Sequence, residues 1–342
     1  MSFEEICFNT EPNFKFKEIV KEQSECLSSS YQFDCYKDKN GDVVLISPFF
    51  NIEEPQAGER HISLITLKDN KEIKRLEGHT DRILNVRYFQ DPYTKNDYLI
   101  SADRRYIVIV WDLSNFTKIF TKEIRYDSFI YSVLLLFDPN KIYAVTSTLV
   151  DSGYTKVIEV GNPNNIVNIK ESNFAIYLLL YWYNSKKDKH NIIQCGKKKI
   201  LISEFPNNET YHSFNSDDKH PYNMGGIVIK NKGKDFLVVS SSYGLVQIYH
   251  LEYKEVFIKL DLENTFLYSF VKWNDNYLLL NDCLNKTILV LDTNDSFQVK
   301  KKIECPELNN DRFIKKVDHP LYGESILSIG IDWKIKLFNN EN

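Results

Sequence analysis

Short apolar segments recur along the whole chain. Almost every one runs for roughly four to seven residues between Asn, Asp, Gly, Pro or Ser, and no long stretch repeats with the 3.6-residue period of a helix. Short runs bounded by turn-forming residues are typical of β-strands, which the abundant Tyr and Phe also favour. The pattern predicts an all-β chain.

The clearest group of strands is predicted between residues 76 and 113. Gly78-His79 precedes one apolar segment, a second covers residues 98–103, and a third contains Trp111-Asp112. A Gly-His pair followed about 30 residues later by Trp-Asp resembles one repeat of the WD-repeat family. Members of that family are β-propellers, in which each repeat supplies a four-stranded blade.

Weaker copies of this pattern fill most of the chain. Together with the Trp111 segment, seven third strands are predicted, the other six at residues 61–65, 155–160, 199–204, 245–249, 287–292 and 333–338. The residues aligned with Trp111 are Ile65, Val160, Ser203, Tyr249, Leu291 and Phe338. Their spacing of roughly 42 to 50 residues is close to the WD-repeat period. The second strands are predicted at residues 42–46, 98–101, 142–147, 191–195, 235–240, 276–280 and 325–329.

The resemblance implies a propeller of seven four-stranded antiparallel blades that forms one domain over residues 1–342. The repeats cover residues 31–342, and residues 1–30 hold the lead-in. In the family, the N-terminal segment closes the ring as the outer strand of the last blade, so that no sheet edge stays open. Residues 14–20 alternate apolar and charged side chains as such a strand would, and the alternative is a terminal helix over residues 12–23.

Four residues of the clearest repeat are assigned a structural role. By the resemblance, His79, Ser101 and Trp111 form a hydrogen-bonded network inside the blade, which satisfies their buried polar groups. The family usually completes this network with an Asp about six residues before the Trp. Here Arg105 stands at that position and the nearest acid is Asp103, which predicts an irregular network.

Charge and cysteine content narrow the class of partner and compartment. The chain carries 43 basic and 47 acidic residues and a net charge of −4, so the dense basic footprint of a nucleic-acid binder is not expected. Six scattered cysteines include no Cys-x-x-Cys pair, which favours a reducing compartment. No signal sequence and no apolar run of about 18 residues is recognised. We expect an intracellular, cytoplasmic protein without a membrane span, a setting compatible with a cytoskeletal, ciliary or nuclear assembly.

Motifs that carry catalysis are absent from the sequence. The seven histidines show no metal-ligand spacing, and neither a Gly-x-Ser-x-Gly sequence nor a phosphate-binding glycine loop occurs. We therefore expect no enzyme activity, no cofactor, no bound metal and no small-molecule substrate.

Long loops are the first candidates for binding a partner. In the family, the loops that join second to third strands and those that join blades lie on one face, which here places residues 48–60, 148–154, 215–224 and 303–312 together. Phe49 and Phe50 are adjacent aromatics in a polar loop and are predicted to anchor a partner, because aromatic residues dominate interface energetics. The alternative is that they cover the edge of the blade.

A second candidate surface lies at the starts of the innermost strands. Phe129 and Tyr131 align with Arg82 and Leu84, positions whose side chains point toward the mouth of the central channel in the family. Arg104 and Arg105 occupy an adjacent turn. These six residues would form an aromatic and arginine rim typical of binding hot spots. The alternative is that Phe129 packs between blades.

The predicted function is therefore a protein-interaction scaffold, as one subunit of a larger multiprotein assembly. Two other functions stay open. Some propellers bind phosphoinositides through a Phe-Arg-Arg-Gly sequence, but Arg104 and Arg105 have Asp103 and Tyr106 at their sides instead. RNA-processing propellers form the other class, and salt-dependent RNA binding would identify one.

Overall fold

The computed structural model consists of seven antiparallel sheets of four strands each, arranged as a β-propeller. The structure describes residues 14–17, 33–48, 60–69, 71–150, 155–169, 174–207, 209–216, 219, 222–241, 243–306, 308, 313–319, 323–329 and 335–340. Over these residues every element of regular structure is a strand, as the sequence pattern predicts.

The strands follow one another along the described chain. The first half comprises β1 (Phe14–Lys17), β2 (Asp34–Lys37), β3 (Val43–Pro48), β4 (His61–Thr66), β5 (Lys71–Glu77), β6 (Ile83–Gln90), β7 (Asp97–Asp103), β8 (Ile107–Asp112), β9 (Thr117–Glu123), β10 (Ile130–Asp138), β11 (Lys141–Thr148), β12 (Lys156–Glu159), β13 (Asn162–Asn168) and β14 (Ile176–Asn184). The second half comprises β15 (Lys189–Gly196), β16 (Lys199–Phe205), β17 (Glu209–Asn215), β18 (Asn223–Asn231), β19 (Lys234–Ser241), β20 (Leu245–His250), β21 (Glu255–Asp261), β22 (Leu267–Lys272), β23 (Tyr277–Asp282), β24 (Thr287–Asp292), β25 (Gln298–Glu304), β26 (Phe313–His319), β27 (Gly323–Ile329) and β28 (Ile335–Asn340).

Each sheet is a meander of four consecutive strands, with one exception. We name the sheets blades A to G in chain order, so that blade A is β2–β5, B is β6–β9, C is β10–β13, D is β14–β17, E is β18–β21 and F is β22–β25. Blade G takes β26, β27 and β28 from the end of the chain and β1 from its beginning. The seven predicted repeats thus correspond to seven blades.

The N-terminal strand completes blade G. Its β1 pairs antiparallel with β28, Phe14 opposite Asn340 and Lys17 opposite Leu337. The prediction of a closing strand over residues 14–20 is confirmed for residues 14–17, and the alternative of a helix is wrong there.

Burial changes in a regular way across a blade. Second and third strands such as β3 and β20 are buried along their whole length, whereas outer strands such as β5 and β13 are mostly exposed. Continuous apolar runs therefore mark strands that are covered on both faces, and polar strands mark the outer edge.

A local irregularity recurs where the third strand of a blade pairs with the fourth. The register shifts just before the residue aligned with Trp111 in six blades, at Ile65, Trp111, Glu159, Ser203, Tyr249 and Leu291. The sequence alignment placed Val160 at this position, and the structure corrects it to Glu159, because Val160 already belongs to the turn that follows β12.

The chain divides into two compact units, Ser24–Asn223 and Met1–Gln23 with Met224–Asn342. The first contains blades A to D. Within it, each apolar cluster is shared by two successive blades, for example Leu64 of blade A with Leu99 and Trp111 of blade B. In β10, Val133 joins the cluster shared with blade B, and Leu134 joins the one shared with blade D. Alternate side chains of one strand therefore bind its blade to both neighbours.

The second unit contains blades E, F and G. One cluster joins blades E and F, including Val238 and Leu280, and another joins F and G, including Val290 and Ile326. Burial of these apolar side chains is the main stabilising contribution.

Candidate functional site

A chain of buried polar side chains crosses blade B. The indole N–H of Trp111 donates to Oγ of Ser101 at 2.9 Å, and Ser101 Oγ lies 2.7 Å from Nε2 of His79. Nδ1 of His79 lies 3.2 Å from the Asp103 carboxylate. All four residues are buried, so these bonds satisfy groups that would otherwise be costly to bury.

Asp103 supplies the carboxylate of this network. The resemblance to the WD-repeat family placed that carboxylate at the position of Arg105. Its carboxylate accepts hydrogen bonds from His79 and from the backbone N–H groups of Thr80, Arg105 and Ile107. Burial favours a higher pKa for Asp103, but the bonds from His79 and the backbone outweigh it, and the pKa is lowered. The expected irregularity is therefore absent from the side-chain network, because β7 extends as far as Asp103.

The two arginines of the β7–β8 turn differ in their surroundings. Arg105 is exposed and forms an ion pair with Asp81 at 3.3 Å. The guanidinium carbon of Arg104 lies 5.3 Å from the ring centroid of Phe129. The Arg104 N–H also donates to the carbonyl of Arg82, which connects this turn to the start of β6.

Phe129 is 43% exposed despite its apolar ring. It precedes β10 and carries the Arg104 side chain over its face. Nearly half of the Phe129 side chain therefore contacts solvent, and the rest is covered.

The innermost strands of blades B, C and D begin with the same irregularity. The pairing of each first strand with its second strand passes over one residue, which is Leu84 in β6, Tyr131 in β10 and Tyr177 in β14. Leu84 and Tyr131 therefore occupy equivalent positions, as the sequence alignment expected. A bulge of this kind changes the direction of a side chain at a strand end.

Three tyrosines extend from this position in an edge-to-face series. Tyr131 and Tyr177 have ring centroids 6.1 Å apart at 86°, and Tyr177 and Tyr222 have theirs 6.0 Å apart at 88°. All three side chains are half-buried. We call Phe129, Tyr131, Tyr177 and Tyr222, with Arg104 over Phe129, the aromatic row.

Sequence reasoning did not identify Tyr177 and Tyr222. Tyr177 could have been found, because it lies at the blade D position equivalent to Tyr131. Tyr222 forms an isolated bridge with Lys197, a pairing that the repeat pattern does not indicate.

Arg82 is linked to Arg104 of the aromatic row through the backbone, and Leu84 holds the blade B position equivalent to Tyr131. The Arg82 N–H donates to the Asp81 carboxylate at 2.7 Å, and its side chain is half-buried, as is that of Leu84. The structure thus brings Arg82, Arg104 and Arg105 to the same end of blade B.

A separate groove of about 640 Å³ runs beside the outer strands β5 and β9. The residues that line it are Lys74, Arg75, Leu76, Glu77, Trp111, Phe116, Thr117 and Lys118. Arg75 is paired with Glu72, and Lys74 lies 6.0 Å from the Phe116 ring centroid, so two of its cations already have partners within the protein.

Several of the predicted features lie outside the described residues. Phe49 and Phe50 are among them, as are parts of the four long loops. Within the described ranges, no group of three or more His, Cys, Asp or Glu side chains could hold a metal ion. The same residues include no helix long and apolar enough to cross a bilayer.

Comparison with known proteins supports the architecture. No protein-family model matches the chain, and no curated protein matches it. Among solved structures 1555 chains match. One is the computationally designed Ika8 protein, 14% identical, with a TM-score of 0.63 over 93% of this chain and 84% of that one. A likeness at this level of identity shows the β-propeller fold and says nothing about function.

Proposed function

We propose that the chain is a WD-repeat propeller that acts as a non-catalytic protein-interaction scaffold, as one subunit of a larger assembly. The network of Trp111, Ser101, His79 and Asp103 supports the assignment of WD repeats, because the resemblance in sequence implied these side-chain bonds. The other blades keep the strand pattern, and five of them keep the bulge, but they lack this set of polar residues.

The observation that carries the scaffold function is the aromatic row. Its four rings and the Arg104 guanidinium combine the residue types that contribute most to binding energy at protein interfaces. The three tyrosine rings contact one another in series, and Tyr131 and Tyr177 lie at strand ends of fixed geometry, so few of their side-chain rotamers would be lost on binding.

The charges beside the aromatic row indicate what kind of partner it binds. Arg104 is exposed over Phe129, and Lys197 is paired through its backbone with Tyr222. A protein segment that carries a carboxylate next to an apolar side chain would complement both the rings and the cations.

Phosphoinositide binding by Arg104 and Arg105 is the competing function. A phosphate group on Arg105 would have to compete with the Asp81 carboxylate, which lies 3.3 Å from it. This existing ion pair favours a protein partner over a lipid headgroup. Flotation with phosphoinositide-containing liposomes tests the alternative, which requires binding that Arg104→Ala combined with Arg105→Ala abolishes.

The scaffold function is tested by co-purification from native extract with cross-linking and mass spectrometry. We expect a stoichiometric protein partner whose cross-links map to the aromatic row. Arg104→Ala combined with Phe129→Ala should release that partner with little change in melting temperature, since both side chains are exposed. The matched control, Tyr243→Ala with Leu284→Ala, changes two exposed side chains elsewhere and should retain it. A free monomer, or a partner that both variants retain, would refute the proposal.

A further inference from the structure

Two tyrosines and a histidine share one face of blade D at the hairpin between β14 and β15. Tyr183 is directly opposite His190, and Tyr181 lies two residues earlier on the same side of β14. The ring centroid of His190 is 5.2 Å from that of Tyr183 and 5.8 Å from that of Tyr181. These are cross-strand and diagonal neighbours in the usual contact range of a sheet.

A third tyrosine reaches the same histidine from blade B. The hydroxyl of Tyr93 lies 3.5 Å from Nε2 of His190, and the hydroxyl of Tyr181 lies 2.7 Å from Nδ1. Asp91 fixes the turn that presents Tyr93, because its carboxylate accepts hydrogen bonds from the Tyr93 N–H and the Thr94 hydroxyl. His190 therefore joins hairpins from two blades.

The rings remain accessible although their hydroxyl groups have hydrogen-bond partners. Tyr93, Tyr181 and Tyr183 are 45%, 37% and 41% exposed. We call these three tyrosines, together with His190 and Asp188, the tyrosine–histidine patch. A cluster of partly exposed tyrosines whose hydroxyls are held in place is an ordered aromatic surface.

Carboxylates lie close to two tyrosines of the tyrosine–histidine patch. The Tyr183 hydroxyl donates to Asp188 at 2.6 Å, and this bond raises the pKa of Tyr183. The pKa of Tyr93 is also raised, first by burial and then by Asp138, Asp188 and Asp91. The patch therefore combines aromatic faces with nearby carboxylates, of which Asp188 bonds directly to Tyr183.

Three lysines in nearby turns contact groups other than the tyrosines of the patch. Lys95 Nζ donates to the carbonyl of Pro92, Lys187 Nζ lies 4.9 Å from the Tyr211 ring centroid, and Lys141 forms an ion pair with Glu159. Lys186 and Lys189 lie in the same hairpin as Asp188. None of the three lysine contacts named above places an ammonium group over Tyr93, Tyr181 or Tyr183.

We propose that the tyrosine–histidine patch binds an arginine- or lysine-bearing segment of a protein partner. The face of a tyrosine ring attracts a cation, and the carboxylates add charge complementarity. The same chemistry already occurs within this protein, where Lys234 Nζ lies 5.8 Å from the ring centroid of Tyr253.

The tyrosine–histidine patch and the aromatic row are separate binding surfaces. Tyr177 of the row and Tyr181 of the patch are four residues apart on β14, which corresponds to about 13 Å along a strand. The row carries the Arg104 guanidinium and the patch carries the Asp188 carboxylate beside its tyrosines, so we expect their partners to have opposite charge. One propeller would then connect two partners.

Fluorescence anisotropy with two labelled peptides tests this inference. One peptide has arginine at alternate positions in a Gly-Ser background, and the other has glutamate at the same positions. We expect the arginine peptide to bind at least about tenfold more tightly, and its affinity to fall as salt is raised.

Variants locate the binding site of the arginine peptide. Tyr181→Ala combined with Tyr183→Ala should weaken its binding about tenfold or more. Asp188→Asn, in an exposed turn, keeps the fold and should weaken it severalfold. The matched control, Tyr243→Ala with Tyr253→Ala, removes two exposed tyrosines elsewhere and should bind as the unaltered protein does.

Three outcomes would overturn the inference. They are equal affinity for both peptides, undetectable binding of the arginine peptide at about 1 mM, and unchanged affinity in the Tyr181, Tyr183 and Asp188 variants. Arg104→Ala combined with Phe129→Ala should not affect this peptide. A result that refutes cation binding at the tyrosine–histidine patch can therefore be told apart from one that refutes partner binding at the aromatic row.

Discussion

The indole N–H of Trp111 donates a 2.9 Å hydrogen bond to the hydroxyl of Ser101 on the adjacent strand. The carboxylate of Asp103 can only accept, so Nδ1 of His79 carries a proton and donates to it. In the neutral ring Nε2 then accepts from Ser101, and Ser101 accepts from Trp111. With that tautomer the bonds run from the indole to the carboxylate, and the Ile109 carbonyl, 3.4 Å from Ser101 Oγ, is a second acceptor for the hydroxyl.

The effects of substituting Trp111 and Ser101 on the free energy of unfolding are expected to be coupled. Trp111→Phe removes the donor and part of a buried ring and should lower the free energy of unfolding by about 1–3 kcal/mol. Ser101→Ala should cost about 1–2 kcal/mol, because two buried nitrogens lose their partner. The double variant should cost less than the sum by about 0.5 kcal/mol or more, measured by denaturant unfolding.

A second pair serves as the control for this cycle. Ser114 lies in an exposed turn and bonds only locally to Asp112, so Ser114→Ala should be additive with Trp111→Phe. Additivity of Ser101→Ala with Trp111→Phe would contradict the proposed coupling.

The stabilising effect of Asp103 should depend on pH. Its folded-state pKa is lowered below the ordinary value of 3.8, so its contribution is complete above that value and is lost as pH falls through the lower folded-state pKa. The gap in unfolding free energy between the protein and Asp103→Asn should be nearly constant from pH 7 to pH 5 and shrink below about pH 4.

Urea unfolding at pH 6, 4.5 and 3 measures this gap. Asp295→Asn removes one negative charge from an exposed turn and controls for the change in net charge. A gap for Asp103→Asn that persists undiminished at pH 3 would show that the ionised carboxylate is not what stabilises the blade.

The sequence pattern predicted the blades well because each strand has a local signature. Buried third strands read as continuous apolar runs, and the turn residues that bound them recur with each repeat. The error at Val160 has a simple cause, since the sequence period cannot show where a bulge adds one residue to the pairing with the outer strand.

The candidate surfaces were less predictable because they depend on contacts far apart in sequence. Tyr93 and His190 are 97 residues apart, and only the blade arrangement places their side chains together. Phe129 and Tyr131 were identified from their alignment with Arg82 and Leu84. The edge-to-face contacts of Tyr131 with Tyr177 are a matter of ring orientation, which composition does not determine.

Cys195 should resist alkylation in the folded protein. Its thiol is fully buried, and burial raises its pKa well above the ordinary value, so the reactive thiolate does not form at neutral pH. Cys35 is partly exposed and provides the internal comparison. Iodoacetamide labelling with peptide mapping should modify Cys35 under native conditions and Cys195 only in denaturant. Equal native labelling of both would contradict the packing of blade D.

Arg87 should be among the most sensitive positions of blades B to D. From β6 its guanidinium donates to the carbonyl of Val133 at 3.1 Å and to that of Leu179 at 2.9 Å, which joins the first strands of three blades. Arg87→Met removes two charge-assisted bonds and should cost about 3 kcal/mol or more in thermal or urea unfolding. Arg125→Met, at an exposed ion pair with Glu123, should leave the unfolding midpoint unchanged. Similar losses in both variants would exclude a special role for Arg87.

Gly196 should not tolerate even a methyl group. A Cβ at this position would lie 2.1 Å from the Ala175 carbonyl oxygen and 2.6 Å from the Phe174 ring, at the end of β15. The Gly196 carbonyl also accepts a 2.6 Å bond from Asn223. A clash with backbone has no rotamer that relieves it, so Gly196→Ala should cost about 1–3 kcal/mol or more. The displacement would also reach the neighbouring Lys197 bridge to Tyr222 and should weaken binding of a partner at the aromatic row.

Gly161→Ala is the matched control, because a Cβ there meets nothing within 4 Å. Its melting temperature should equal or slightly exceed that of the unaltered protein, since alanine restricts the unfolded chain. If both alanine variants melt alike, the close approach of β15 to Ala175 is not a constraint on the fold.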